Sequence, residues 1–141
     1  MKKIFLGLAL LALAGCASNV VSKNELKKSF ENSQSQINIY RPSGFSSALL
    51  AFVIQIDGET IAALNMKDAT QRTIAPGKHK LSTYISGSPF FKRDVTLDFQ
   101  AGKAYYFSIE MPVKTGRDIE YQTSPVLNTL NETKWLEFIS Q

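Results

Sequence analysis

The sequence predicts an all-β fold, an antiparallel β-sandwich of about seven strands with a short C-terminal helix. Three observations predict it. From Gln36 onward, apolar and polar residues alternate in short runs. Turn residues interrupt those runs at intervals of about 8–12 residues, the rhythm of sandwiches and small barrels. Apolar spacing of three and four is absent between them and emerges only near the C-terminus. Period-two alternation implies one buried and one wet face for each sheet.

The elements follow in order. Ile37 and Ile39 alternate with Asn38 and Tyr40 until Arg41-Pro42-Ser43-Gly44 breaks the run. Phe52, Ile54 and Ile56 form the next apolar face, and Asp57-Gly58 then signals a tight hairpin because glycine accepts positive φ. Thr60 to Met66 is the return strand, and Thr70 to Ile74 makes another short one. Pro76-Gly77 turns the chain into Lys78–Ile85, where Leu81, Thr83 and Ile85 share a face. Gly87-Ser88-Pro89 interrupts before Val95, Leu97 and Phe99. Ala101-Gly102 leads into the most aromatic strand, with Tyr105, Phe107, Ile109 and Met111 on one side, and Pro112 ends it. Ile119 and Tyr121 suggest one last short strand. Residues 131–140 read as a helix, with Trp135 and Ile139 at i, i+4 as its apolar anchors. Its start is compatible with a Thr129/Glu132 capping box or with Asn131 as the cap.

The N-terminus carries a different signal. Lys2 and Lys3 precede an apolar run from Ile4 to Ala14, and Leu13-Ala14-Gly15-Cys16 closes it. A basic start, a short apolar core and a small-residue processing site describe a secretory leader. A bilayer-spanning helix needs about 20 apolar residues, about twice what this run offers. The tetrapeptide ending in Cys16 resembles the lipobox of bacterial lipoproteins. That resemblance implies cleavage between Gly15 and Cys16 and acylation of the Cys16 thiol, with palmitate-type chains anchoring the protein in a membrane. Ala17, rather than Asp, follows the cysteine, and by the same resemblance this implies the outer membrane facing the periplasm. Three segments result: a leader over 1–15, a lipidated N-terminus and polar tether over 16–34, and a β-sandwich domain over 35–141. A short helix around Lys23–Glu31 is compatible with Leu26 and Phe30 at i, i+4. As a coil, the tether would reach roughly 25 Å.

Charge narrows the partners. The 16 basic side chains include Lys2 and Lys3, so a chain cut before Cys16 carries 14 against 12 acidic ones. Arg41, Arg72, Lys92, Arg93 and Arg117 are scattered along the sequence. A nucleic-acid footprint wants clustered cations, so no nucleic-acid partner is expected. Cys16 is the only cysteine, and packing alone must hold the domain.

Four segments occur in a familiar order: Ile39-Tyr40-Arg41-Pro42, Ile56-Asp57-Gly58, Ala75-Pro76-Gly77-Lys78-His79 and Ala101-Gly102-Lys103-Ala104-Tyr105-Tyr106. In this the chain resembles a family of small bacterial lipoprotein domains known as the domain of unknown function numbered 2846. More loosely it is similar to short β-domains named for a Pro-Glu-Gly-Ala motif. The likeness covers roughly residues 36–110. It implies an all-β envelope lipoprotein and carries no functional residues with it.

The downstream residues point away from catalysis. His79 is the only histidine. Catalysis would want a nucleophile or carboxylate acting with it, and zinc would want three or four ligands. Its expected role is to fix the Pro76-Gly77 turn or a strand edge. Asp57/Glu59, Asp94/Asp98 and Asp118/Glu120 read as solvated strand-edge charges. No nucleophile elbow, P-loop, dinucleotide fingerprint or calcium loop occurs, so no cofactor or metal is expected. Gly87–Arg93 carries one sharper signal. Adjacent Phe90 and Phe91 in a strand would face opposite ways, with Lys92 and Arg93 beside them. The plain expectation is that both rings cap the open end of the sandwich. The alternative is that Phe90, Phe91, Lys92 and Arg93 contact an envelope protein, a glycan or a lipid headgroup.

The expected role is a non-enzymatic, lipid-anchored envelope module that binds or supports a partner. The alternatives are an accessory subunit of a secretion or cell-wall assembly, a hydrolase acting on peptidoglycan or lipid, and exposure on the cell surface.

Overall fold

The computed structural model describes residues 31–44, 49–112 and 124–140. They form eight strands and one helix: β1 Ser35–Tyr40, β2 Phe52–Ile56, β3 Glu59–Leu64, β4 Ala69–Ile74, β5 Gly77–Ile85, β6 Arg93–Phe99, β7 Ala104–Glu110, β8 Val126–Leu130 and α1 Glu132–Ile139. Two four-stranded sheets stack as a sandwich, one in the order β4-β1-β7-β8 and the other β3-β2-β5-β6. The all-β sandwich with a C-terminal helix is therefore what the chain adopts. The expected Ile119–Tyr121 strand, the leader, Gly15, Cys16 and the tether up to residue 30 lie outside the described residues.

Local chemistry explains most of the elements. Asp57 and Gly58 both take positive φ (51° and 88°), the tight turn whose twist matches a hairpin. A bulge at Ile54/Gln55 shifts the β2–β3 register, so Ile61 has no direct partner across the ladder. Ile37, Ile39, Ile54, Leu64, Leu81, Phe99, Phe107 and Ile109 meet between the sheets as the main core. Asn131 caps α1, its side-chain oxygen accepting from the Lys134 N–H at 2.8 Å. Thr129, the other candidate cap, instead pairs with Phe107 in β8.

Three expectations need correction. The sandwich is not wholly antiparallel: β1 runs parallel to β7, with Ile37 beside Tyr105 and Ile39 beside Phe107. The pairing is long-range, and no local turn announces it. Strand β8 was not anticipated, because Val126–Leu130 is short and merges with the helix signal after it. The third correction concerns water. All six residues of β1 are buried, including the expected wet positions Asn38 and Tyr40. Helix α1 supplies part of the cover: Trp135 and Ile139 pack with Tyr40 and Ala69 as a second apolar cluster outside the sheet. Phe138 stacks on Tyr40 at 5.6 Å between ring centres. Asn38 stays satisfied by giving its amide N–H to the Tyr105 carbonyl (3.2 Å) and accepting from Gln71 (2.8 Å).

The two edge strands β3 and β4 lie side by side, and two arginines clasp their seam. Arg41, 2% exposed, donates through Nη1 to the carbonyls of Leu50 and Leu64 and lies 3.6 Å over the Phe52 ring. Burial lowers its pKa from the ordinary arginine value, and Asp68 opposes that shift. Arg72 pairs across from the core residue Ile37, so it projects inward, and its Nη2 donates to the Ile61 carbonyl at 3.3 Å. An inward-pointing cation on an edge strand blocks further strand addition.

Candidate functional site

Two places on the sandwich carry chemistry, at opposite ends. The first is a cleft of about 380 Å³ where the β2–β3 turn approaches β4. Ile56, Asp57, Glu59 and Ile61 line one side, and Arg72 to Ala75 with His79 line the other. Gly77 opens β5 with φ +124°, a conformation that side chains rarely adopt, and this turn sets His79 beneath Ala75. The His79 ring is held at both nitrogens: Nδ1 faces the Asp57 carboxylate at 2.6 Å, and Nε2 faces the Ala75 carbonyl at 2.9 Å. Both partners can only accept, so the ring makes both bonds only as an imidazolium. The other Asp57 oxygen accepts the Lys80 backbone N–H at 2.9 Å.

The electrostatics follow from those bonds. The Asp57 bond raises the His79 pKa above 6.5, against an opposing push from burial. The same bond, followed by the Lys80 N–H, lowers the Asp57 pKa below 3.8. A ring clamped at both nitrogens has no lone pair with which to take a proton from a substrate. The pair is thus a tie between a hairpin and a strand start. Glu59 and Arg72 are the other charged groups on the cleft wall, and the buried Nε of Arg72 has no hydrogen-bond partner among the described residues. Among the described residues, no three His, Cys, Asp or Glu side chains come together as a metal-binding group.

The second place is the β5–β6 connection at the other end. Phe90 and Phe91 lie in this loop rather than in a strand, and neither ring is buried as a cap. Phe90 is 92% exposed and Phe91 53%. The backbone beneath them is pinned. Ser88 N–H donates to Ile85 at 2.9 Å, Phe91 N–H to Ser88 at 3.3 Å, and the Ser124 hydroxyl to the Phe91 carbonyl at 2.7 Å. Lys92 donates to Gln55 Oε1 at 2.9 Å and sits 5.2 Å from the Tyr84 ring centre. Arg93 opens β6 opposite Thr83. Leu49 and Leu50 before β2, and Met66 after β3, are exposed at this same end.

The remaining sequence candidates scatter. Asp94 pairs with Lys80 at 3.0 Å, Asp98 faces solvent from β6, and Asp118 and Glu120 fall outside the described residues. Sequence reasoning missed the clasping roles of Arg41 and Arg72. An isolated arginine in a strand looks the same whether it points out or in. The one available hint was Arg41 directly before Pro42, where the strand must stop.

Comparison with known proteins adds the family. A family model described as "Protein of unknown function (DUF2846)" matches residues 31–122. The match spans more than half of the chain, and the chain belongs to this family. Strands β1 to β7 lie within the matched region, while β8 and α1 follow it. No curated protein matches the chain.

Proposed function

We propose that this chain is a bacterial cell-envelope lipoprotein, acylated at Cys16 after cleavage behind Gly15, whose β-sandwich serves as a non-enzymatic binding or structural module. It faces the periplasm from the outer membrane. The single observation that carries the reading is Leu13-Ala14-Gly15-Cys16 at the end of a short apolar run behind two lysines. The non-enzymatic part is supported by the state of His79 and Asp57, whose polar atoms are spent on each other and on the backbone. The anchor holds the domain at a surface, the tether gives reach, and the loops present the contact. One acyl chain binds only marginally, so stable anchoring rests on more than one chain at the processed cysteine.

Metabolic labelling with palmitate tests the anchor. The wild-type chain is expected to take up label and sediment with membranes, and Cys16→Ser to lose the label. Unchanged labelling in the variant refutes the reading.

A further inference from the structure

Among the described residues, the exposed large apolar side chains are concentrated. Leu49, Leu50, Met66, Phe90 and Phe91 all lie at the loop end where β2 and β6 begin and β3 and β5 finish. In the sheet order β3-β2-β5-β6, Met66, the two leucines and the two phenylalanines follow one another along a single rim. Leu49 is 98% exposed, and with Phe90 it stands almost clear of the protein. A soluble surface rarely leaves such a cluster without a contact for it.

Charge indicates what that contact is. Lys67 and Lys92 are exposed around the rim, and the bond from Lys92 to the neutral Gln55 amide leaves its charge uncompensated. The carboxylates nearest in sequence are already engaged. Asp68 acts on the buried Arg41 guanidinium, whose charge it offsets, and Asp94 pairs with Lys80. The rim therefore presents apolar wedges with a cationic collar, complementary to a surface that is negative outside and apolar within.

We propose that this rim docks on an anionic lipid bilayer, with Phe90, Phe91, Leu49 and Leu50 entering the acyl boundary and Lys67 and Lys92 facing the headgroups. Aromatic side chains settle at that depth, and lysine and arginine are drawn to anionic headgroups. The wedges come from separate loops, and a soft bilayer accepts them without the matched pocket a protein partner must supply. The inference is independent of the anchor. Gly102 N–H donates to Gln34 at 2.7 Å, so the chain enters β1 at the end of the sandwich away from this rim.

The test uses the full chain carrying Cys16→Ser, so that no acyl chain contributes, together with Phe90→Trp as a reporter. Trp135 is 1% exposed and supplies a constant, shielded background. Brominated phosphatidylglycerol–phosphatidylcholine vesicles are expected to quench the reporter. Phosphatidylcholine vesicles alone should quench it far less. Lys67→Glu with Lys92→Glu should weaken the quenching by at least about tenfold on the same background, and added salt should weaken it without any further substitution. Absence of quenching by anionic vesicles overturns the proposal, as does equal quenching by both vesicle types. Shielding of the reporter that grows with protein concentration, without lipid, would assign the rim to a second copy and overturn it too. Photo-crosslinking from position 90 that captured one protein and no lipid would do the same. Palmitate labelling reports on Cys16 alone, so the anchor and the rim fail separately.

Discussion

The two sheets are built from the same alternating pattern, yet they end in different surroundings. The β4-β1-β7-β8 sheet packs against the other sheet on one face and partly against α1 on the other, and its inner strand β1 is buried along its whole length. Among the described residues, no helix packs on the outer face of the β3-β2-β5-β6 sheet, and β6 is exposed over most of its length. Among the described residues, every strongly exposed large apolar side chain except Leu136 of α1 belongs to this second sheet or its loops. Its outer parts are joined by polar ties instead: Asp57 to His79, Lys92 to Gln55 and Lys80 to Asp94. Such exposed ties each contribute little, whereas a buried aromatic layer contributes several kcal/mol. The difference separates a sheet that holds the domain together from one that is free to present side chains.

The largest expected effect comes from removing the cover. Trp135→Ala should cost about 3–5 kcal/mol in urea unfolding, the range for a truncated core aromatic. Amide exchange should quicken at Tyr40 and Tyr106, which pack against the lost ring. The indole Nε1–H is buried without a hydrogen-bond partner among the described residues, and its removal offsets part of that loss. A cost below about 1 kcal/mol would mean that both sheets are held alike.

The comparison sharpens at the exposed rim. Phe90→Ser with Phe91→Ser should leave the unfolding free energy within about 0.5 kcal/mol of wild type, because neither ring is buried. A larger loss would show these rings to be packing residues, and the second sheet would then be as structurally committed as the first.

The smallest effect belongs to the Asp57–His79 tie and shows as pH dependence. The folded His79 pKa lies above 6.5, so its contribution is complete below that value and fades as pH rises through the folded pKa. The folded Asp57 pKa lies below 3.8, so its contribution is complete above that value and fades as pH falls through the folded pKa. The stability gap between wild type and His79→Gln should therefore be widest from about pH 4 to pH 6.5 and narrow toward about pH 9. Thermal unfolding across that range measures it, and a gap that widened at high pH would contradict an imidazolium tie.

How much of this was legible depended on range. The β2–β3 hairpin was readable because Asp57-Gly58 encodes its own turn. The helix was readable because Asn131, Trp135 and Ile139 carry its start and its face within nine residues. His79 was placed at the Pro76-Gly77 turn, as its bond to Ala75 shows, but its Asp57 partner, 22 residues away, was not foreseen. The rim residues Phe90 to Arg93 were singled out by composition, while their exposure depended on where Ser124 and β6 came to lie. Arg41 and Arg72 were invisible as clasps, since the carbonyls they bind belong to other strands.

The sequence by itself determined the strands, their apolar faces, the tight turns and the cap of α1, because each depends on contacts within a few residues. Only the tertiary structure decided that β1 would lie parallel to β7, that Asn38 and Tyr40 would be covered, and that Leu49 and Phe90 would be exposed. A periodic pattern states which face avoids water, and what comes to cover it is set by partners distant in the chain.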